Sequence, residues 1–311
     1  MVSTANETFA GSTSLKAQSS HTYEADFRDS WCIGTVPHGG YVTSCFLQVA
    51  SKHFNTTLSK QNQPHSIALH IDFLRRTEAG PALFTVKDTK LGRQASVIHV
   101  TLTQSGREEA LAVITNSNMT TEEGVSFSTS YKMTPQPVPV SLERLSKDED
   151  EKWCLQSRMP SIKFRKAMAK LEFYYPRNGQ VSNSCADEWV RLSTGEKWTN
   201  ASLGFLSDAW PMPVETNLRE QASRDPNHDS NKAIMWYPTL LLNIDFKKAL
   251  PEEGVKWLFA RTESKQIKNG RFDIEVVILD DTGDIVALSH HVALAVPAER
   301  NVAKRVTGSK M

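Results

Sequence analysis

The stretch Trp236–Phe246 reads Trp-Tyr-Pro-Thr-Leu-Leu-Leu-Asn-Ile-Asp-Phe. It is apolar and β-prone, and Pro238 bounds it, so it reads as a buried strand. An earlier segment echoes it: residues 68–73 are Ala-Leu-His-Ile-Asp-Phe, and residues 241–246 are Leu-Leu-Asn-Ile-Asp-Phe. Two cations follow each copy (Arg75-Arg76; Lys247-Lys248), then an acidic Pro/Gly turn (Glu78-Ala79-Gly80-Pro81; Pro251-Glu252-Glu253-Gly254). A Gly-Arg pair (Gly92-Arg93; Gly270-Arg271) next opens a long strand, and a Gly turn (Ser105-Gly106; Thr282-Gly283) leads to a further one. Signals that recur in the same order indicate a duplicated unit, and this decides the fold.

Working outward, His21 to Trp31 suggests a first strand and turn. After Ile33-Gly34-Thr35-Val36-Pro37-His38-Gly39-Gly40-Tyr41, apolar residues Val42, Cys45, Phe46, Val49, Ala50 and Phe54 recur at helical spacing. Leu47 and Tyr41 extend that stripe nearly all round, so the helix is expected to be buried. Strands are predicted near 65–76, 82–91, 93–104 and 107–118. In the second copy they are predicted near 171–175, 188–192, 238–248, 255–268, 271–280 and 284–296. The apolar segment Ala201–Trp210 takes the place of the central helix, with Pro211 and Pro213 stopping it. Residues 223–232 read as a polar surface loop.

Residues 119–165 lack strand alternation and contain Pro135, Pro137 and Pro139 and the charge run Lys147–Lys152, which reads as a solvated face. The organisation expected is a disordered tail over 1–20, a first repeat over 21–120, a connection over 121–165, a second repeat over 166–298 and a tail over 299–311. The fold class is α+β: two antiparallel sheets joined into one, each wrapping a central helix.

Composition removes several classes of function. Hydrophobic residues make up 39% and charged residues 23% of the 311, with a formal net charge of +1. Nothing in this balance steers nucleic acid or an anionic membrane. No apolar run approaches the ~18 residues of a membrane span, and residues 1–20 have no apolar core of a secretory signal. The sequons at Asn6, Asn55 and Asn200 therefore carry no glycosylation expectation. Cys32, Cys45, Cys154 and Cys185 have neither metal nor redox spacing and are expected as free thiols. There is no Gly-x-Ser-x-Gly elbow, no dinucleotide or phosphate loop and no His/Cys/Asp cluster along the chain, so no cofactor and no metal are expected. The final Ser309-Lys310-Met311 resembles the Ser-Lys-Leu peroxisomal address, giving a peroxisomal or cytoplasmic expectation.

Four segments carry a family resemblance: Pro37-His38-Gly39-Gly40-Tyr41, Leu206-Ser207-Asp208-Ala209, Tyr237-Pro238-Thr239-Leu240 and Val286-Ala287-Leu288-Ser289-His290-His291. Through their order and the repeat, the chain resembles the double-hot-dog acyl-CoA thioesterases of the thioesterase II type, most closely their fungal members, over most of 20–298. The resemblance implies a hydrolase in which an Asp, a Thr or Ser and a Gln hold the water that attacks a thioester. These fall on Asp208, Thr239 and, where the family has Gln, His291. A neutral His can accept a proton where Gln only orients water. The substitution is therefore compatible with hydrolysis of different pH behaviour or with a repurposed site.

The residues themselves agree in part. Asp208 sits in an apolar segment, where a buried carboxylate needs a partner; the competing reading is a local cap. Thr239 alone reads as an ordinary strand residue. His291 shares its strand face with small residues Ala287, Ser289, Ala293 and Ala295, which leaves room for a ligand, whereas His290 shares its face with Val286, Leu288, Val292 and Leu294. Gly39 and Gly40 open a helix and offer backbone N–H groups to an oxyanion, or simply permit close packing; His38 is placed to line the entrance. The substrate expected is an acyl-CoA or carrier-bound acyl thioester of fatty or polyketide type, with CoA a part of the substrate and homo-oligomerisation open. Two alternatives stand beside hydrolysis: a secondary-metabolism hot dog enzyme that dehydrates, isomerises or offloads an intermediate, and a non-catalytic acyl-binding protein.

Overall fold

The computed structural model describes residues 7–224 and 234–303. Thirteen strands, numbered in chain order, make the path of one sheet: β1 Lys16–Ser19, β2 Thr22–Phe27, β3 His65–Phe73, β4 Gly80–Lys90, β5 Ser96–Gln104, β6 Arg107–Ser117, β7 Trp153–Leu155, β8 Leu171–Pro176, β9 Cys185–Leu192, β10 Thr239–Phe246, β11 Leu258–Glu263, β12 Arg271–Leu279 and β13 Ile285–Leu294. A fourteenth, Ile267–Lys268, pairs with β12 off this path. Outward from the centre, the first half runs β3-β6-β5-β4-β2-β1 and the second β10-β13-β12-β11-β9-β8, ending on β7. Six strands of one half thus have counterparts at the same places in the other, with β7 added at the second half's edge, which is the double hot dog.

The two echoed segments form the seam. β3 and β10 pair antiparallel with His70 opposite Asn243, the same position of the repeat in both copies, so a pseudo-twofold axis passes between them. His70 Nδ1 lies 2.7 Å from Asn243 Oδ1 across that axis. Continuing the sheet through the seam removes an edge that either half alone would expose.

The first helix, α1 (Gly39–Asn55), is buried as its apolar circumference predicts, with Tyr41, Phe46, Val49, Ala50 and Phe54 all at most 1% exposed. Its counterpart, α2 (Leu203–Ser207), is shorter than the expected 201–210 segment. The chain then starts a third helix, α3 (Pro213–Arg224), absent from the sequence reading. Pro213 begins this helix rather than ending one, because proline lacks only an N–H that the first helical turn leaves unpaired anyway. The remainder of the expected 223–232 loop, from residue 225, lies outside the described residues.

The expectation of a disordered N-terminal tail needs correction. Residues 9–12 form a helical turn and β1 pairs with β2, so most of 7–20 is structured. Phe9 is 4% exposed against Trp31 and Phe205, and the Glu196 carboxylate accepts from Phe9 N at 2.6 Å and Ala10 N at 3.0 Å. At the other end, Glu299–Val302 is a helical turn pinned by buried Asn301, which accepts from Thr35 N at 3.0 Å and donates to Ile33 O at 2.8 Å. Residues 1–6 and the Ser309-Lys310-Met311 tripeptide lie outside the described residues. In the connection, the charge run is not wholly solvated: Asp150 is buried, accepting from Ser141 N, Lys152 N and Trp153 N, and it seats fully buried Trp153 in edge strand β7. The four cysteines are free, and no described helix is long and apolar enough to cross a membrane.

Candidate active site

α1 and α2 meet almost backbone to backbone. A Cβ on Gly40 would stand 2.7 Å from Gly204 O, and one on Gly204 would stand 2.9 Å from Ser44 N. The glycines do permit close packing, but of helix on helix rather than of helix on sheet. This packing delivers Asp208, the residue that ends α2, to the N-terminus of α1. There Asp208 Oδ2 accepts from Gly40 N at 2.7 Å, so the positive end of one repeat's helix receives the carboxylate of the other. Asp208 caps α2, but its carboxylate bonds across the repeats, which excludes a purely local role.

Thr239 is the first residue of β10, at a bulge between Thr239 and Leu241 that breaks the register with β13. Bulges re-aim side chains, and Thr239 Oγ1 donates to Asp208 Oδ1 at 3.1 Å. His291 is fully buried on β13, while His290 is exposed, as the alternation of small residues predicts. Its Nδ1 lies 3.4 Å from Asp208 Oδ1, without hydrogen-bond geometry. Its Nε2 faces Ser289 Oγ at 2.8 Å. From the first repeat, His38 caps α1, its Nδ1 accepting from Gly40 N at 3.1 Å, and its Nε2 lies 3.7 Å from Asp208 Oδ2. Residues 38, 239 and 291 therefore converge on the Asp208 carboxylate.

Burial would push the Asp208 carboxyl up, but His38, His291 and the Gly40 N–H together hold it below the usual carboxylate range. Burial pushes His38 down, with Asp208 opposing and His291 assisting. The resting site is an ionised Asp208 beside a neutral His38. Because Nδ1 of His38 accepts from Gly40, its proton sits on Nε2, a donor aimed toward the carboxylate.

A cavity of about 600 Å³ opens onto this cluster, with His38, Gly39, Asp208 and Thr239 on its wall. Phe73, Met168, Trp210, Trp236, Tyr237 and Leu294 supply its apolar lining, and Arg75, Arg76 and Arg300 also line it. His291 and Gly40 are not on that wall. His291, the residue at the family's Gln position, reaches Asp208 Oδ1 from off that wall. Gly40 N–H is engaged by Asp208, which leaves Gly39 as the glycine presented to the cavity. The sequence reading missed the part played by Ser289. Its only signal was its place two residues before His291 on the same strand face.

The fold thus joins two hot dog repeats and sets Asp208 and Thr239 of the second against the His38-Gly39-Gly40 helix start of the first. Residues 27–117 match the acyl-CoA thioesterase N-terminal domain and residues 139–295 match the acyl-CoA thioesterase C-terminal domain. Thioesterase-like protein TwmA of Talaromyces wortmannii is 37% identical over 98% of this chain and 97% of its own length. The chain belongs to the acyl-CoA thioesterase family. Among solved structures, a hot dog protein of unknown function from Alicyclobacillus acidocaldarius is similar over 93% of this chain and 97% of its own, with a TM-score of 0.73 and 16% identity. Acyl-CoA thioesterase II TesB2 from Mycobacterium marinum is similar over 93% of this chain and 98% of its own, with a TM-score of 0.61 and 17% identity. At such identities the structural likeness speaks for the fold alone.

Proposed function

We propose that the protein hydrolyses an acyl thioester, on CoA or on a carrier, by water held at Asp208 and Thr239. The observation that carries this reading is the ionised, cavity-facing Asp208 carboxylate, fixed by groups from both repeats. Water donates to the carboxylate and attacks the thioester carbon as Asp208 takes its proton. The carbonyl oxygen becomes an oxyanion opposite donors at the start of α1, the Gly39 N–H and the His38 Nε2–H. Collapse breaks the C–S bond, the thiolate recovers the proton from Asp208, and the products are a carboxylic acid and a thiol. Thr239 holds the carboxylate and lends an oxygen to the water. His291, steadied by Ser289, supports Asp208 from behind. Arg75 and Arg300, on the cavity wall, suit the phosphates of CoA or phosphopantetheine, while Arg76 donates to the carbonyls of Arg300, Asn301 and Ala303.

A second reading has its own observation. His38 Nε2 and Asp208 Oδ2, 3.7 Å apart on one cavity, form an acid–base pair from two repeats. Such a pair suits elimination of water from a β-hydroxyacyl thioester. Thiol release across an acyl-CoA panel, followed with mass spectrometry of the acyl product, separates the readings. Hydrolysis gives free thiol and acid; elimination gives an intact enoyl thioester; binding alone gives thermal stabilisation without product. Thiol release unchanged in Asp208→Asn would refute the assigned site.

A further inference from the structure

His21, His53 and Asp88 have no metal-ligand spacing along the chain, yet the fold gathers them far from the cavity. His21 lies in the turn between β1 and β2, His53 in the last turn of α1, and Asp88 on β4. His53 Nε2 is 2.9 Å from Asp88 Oδ1 and His21 Nε2 is 3.2 Å from Asp88 Oδ2. One ligand atom from each residue lies within 4.8 Å of the others. A tetrahedral zinc ion with nitrogen and oxygen ligands at ~2.0–2.2 Å sets those ligands roughly 3.3 Å apart, so the spacing needs little adjustment.

The nitrogens facing away are also provided for, and Ser20 serves both rings. Its Oγ is 2.8 Å from His21 Nδ1, and its carbonyl oxygen is 3.1 Å from His53 Nδ1. A metal-bound His donates its other N–H to a hydroxyl, carbonyl or carboxylate, and a carbonyl can only accept. Without a metal the same groups close the network by protons: each Nε2–H turns to Asp88, and the Tyr23 hydroxyl lies 3.0 Å from His53 Nδ1 and 3.1 Å from Ser20 O. Moving each ring proton to Nδ1 frees both Nε2 lone pairs for an ion. The His53 side chain is 0% exposed, Asp88 24% and His21 40%, so the cluster is anchored on one side and open to entry and a water ligand on the other.

We propose that His21, His53 and Asp88 bind a divalent transition-metal ion, Zn²⁺ being the best match to two imidazoles and one carboxylate. Calcium and magnesium prefer all-oxygen sets. The ion ties the first hairpin to the end of α1 and to β4, roughly 22 Å along the helix from His38. This inference does not rest on the thioesterase reading.

The test uses full-length, tag-free protein stripped with chelator and titrated calorimetrically with Zn²⁺, with thermal melting alongside. Saturable uptake of one Zn²⁺ per chain and a higher melting temperature are expected, with no response to Mg²⁺ or Ca²⁺. His21→Ala, at a partly exposed position, and Asp88→Asn, which keeps the shape, should each weaken binding on the order of 100-fold or more. Ser20→Ala should weaken it about 10-fold, as loss of an outer-shell partner does. Absence of saturable Zn²⁺ binding at micromolar protein would overturn the proposal. So would tight one-to-one binding retained by both ligand variants, since the ion would then sit elsewhere.

Discussion

Asp208 keeps its charge where water has little access because donors from both repeats surround it. Removing the charge while keeping the shape, in Asp208→Asn, should lower kcat by about 10²–10⁴-fold, the range for a positioned acid–base group; steady-state thiol release measures it. Thr239→Val leaves Asp208 Oδ1 without its hydroxyl and should cost about 1–3 kcal/mol of stability by urea unfolding, along with activity. His38 gives the pH dependence. Its folded value is lowered from 6.5, so the unfolded chain binds a proton that the folded chain refuses. Its contribution to stability is complete above pH 6.5 and is lost as pH falls from there toward the folded value. Asp208 adds a second loss at lower pH, below its ordinary 3.8 and through its depressed folded value. Melting temperatures followed down from pH 7.5 should decline below 6.5, and His38→Asn should flatten that first decline. At this scale Asp208 and His291 stood out because a polar group in an apolar run or on a small-residue face is unusual, whereas Thr239 read alone as an ordinary strand residue and entered only through the family resemblance. Gly40 as a donor to Asp208 and Ser289 as a support to His291 were not legible, because each depends on a partner that only folding supplies.

Among the elements, the α1–α2 crossing sets the precision of the site. Gly40→Ala would place a Cβ 2.7 Å from Gly204 O and 2.8 Å from Phe205 O, backbone atoms that cannot swing away. It should destabilise by about 1–3 kcal/mol and lower activity further by displacing Asp208, seen as a reduced denaturant midpoint with an unchanged m-value. The strands were readable from alternation and Gly turns because one sheet face is buried along most of them. The second repeat's helices were not. Residues 201–210 are largely apolar but only five, Leu203–Ser207, are helical, and the chain turns at Asp208, whose carboxylate reaches the start of α1. The polar helix α3 carries few apolar positions, and Pro213 was taken as a stop.

For the whole molecule, duplication has left two unequal sites. The 173-residue spacing of the seam pair His70 and Asn243 also sets Ser66 against Thr239, Phe73 against Phe246 and Arg75 against Lys248. Ser66, Phe246 and Lys248 line a second pocket of only about 80 Å³, where Leu47 and Ala201 are present and no carboxylate lines the wall. Register breaks at Ser66/Ala68 and Thr239/Leu241 preserve the backbone symmetry. The larger cavity lies on one side, so a non-hydrolysable acyl-CoA thioether should bind once per chain by calorimetry; two equal sites would contradict this. The sequence echo made the architecture legible, but not which half kept the cavity, because volume depends on how helices and termini pack over the sheet.

The most direct test of water attack at Asp208 is one turnover in H₂¹⁸O with enzyme in excess over acyl-CoA, analysed by mass spectrometry of product and of the Asp208 peptide. The account predicts one ¹⁸O in the released acid and none in Asp208. Unlabelled acid with ¹⁸O in the Asp208 carboxylate would mean that the carboxylate attacks and an anhydride forms, and would contradict it.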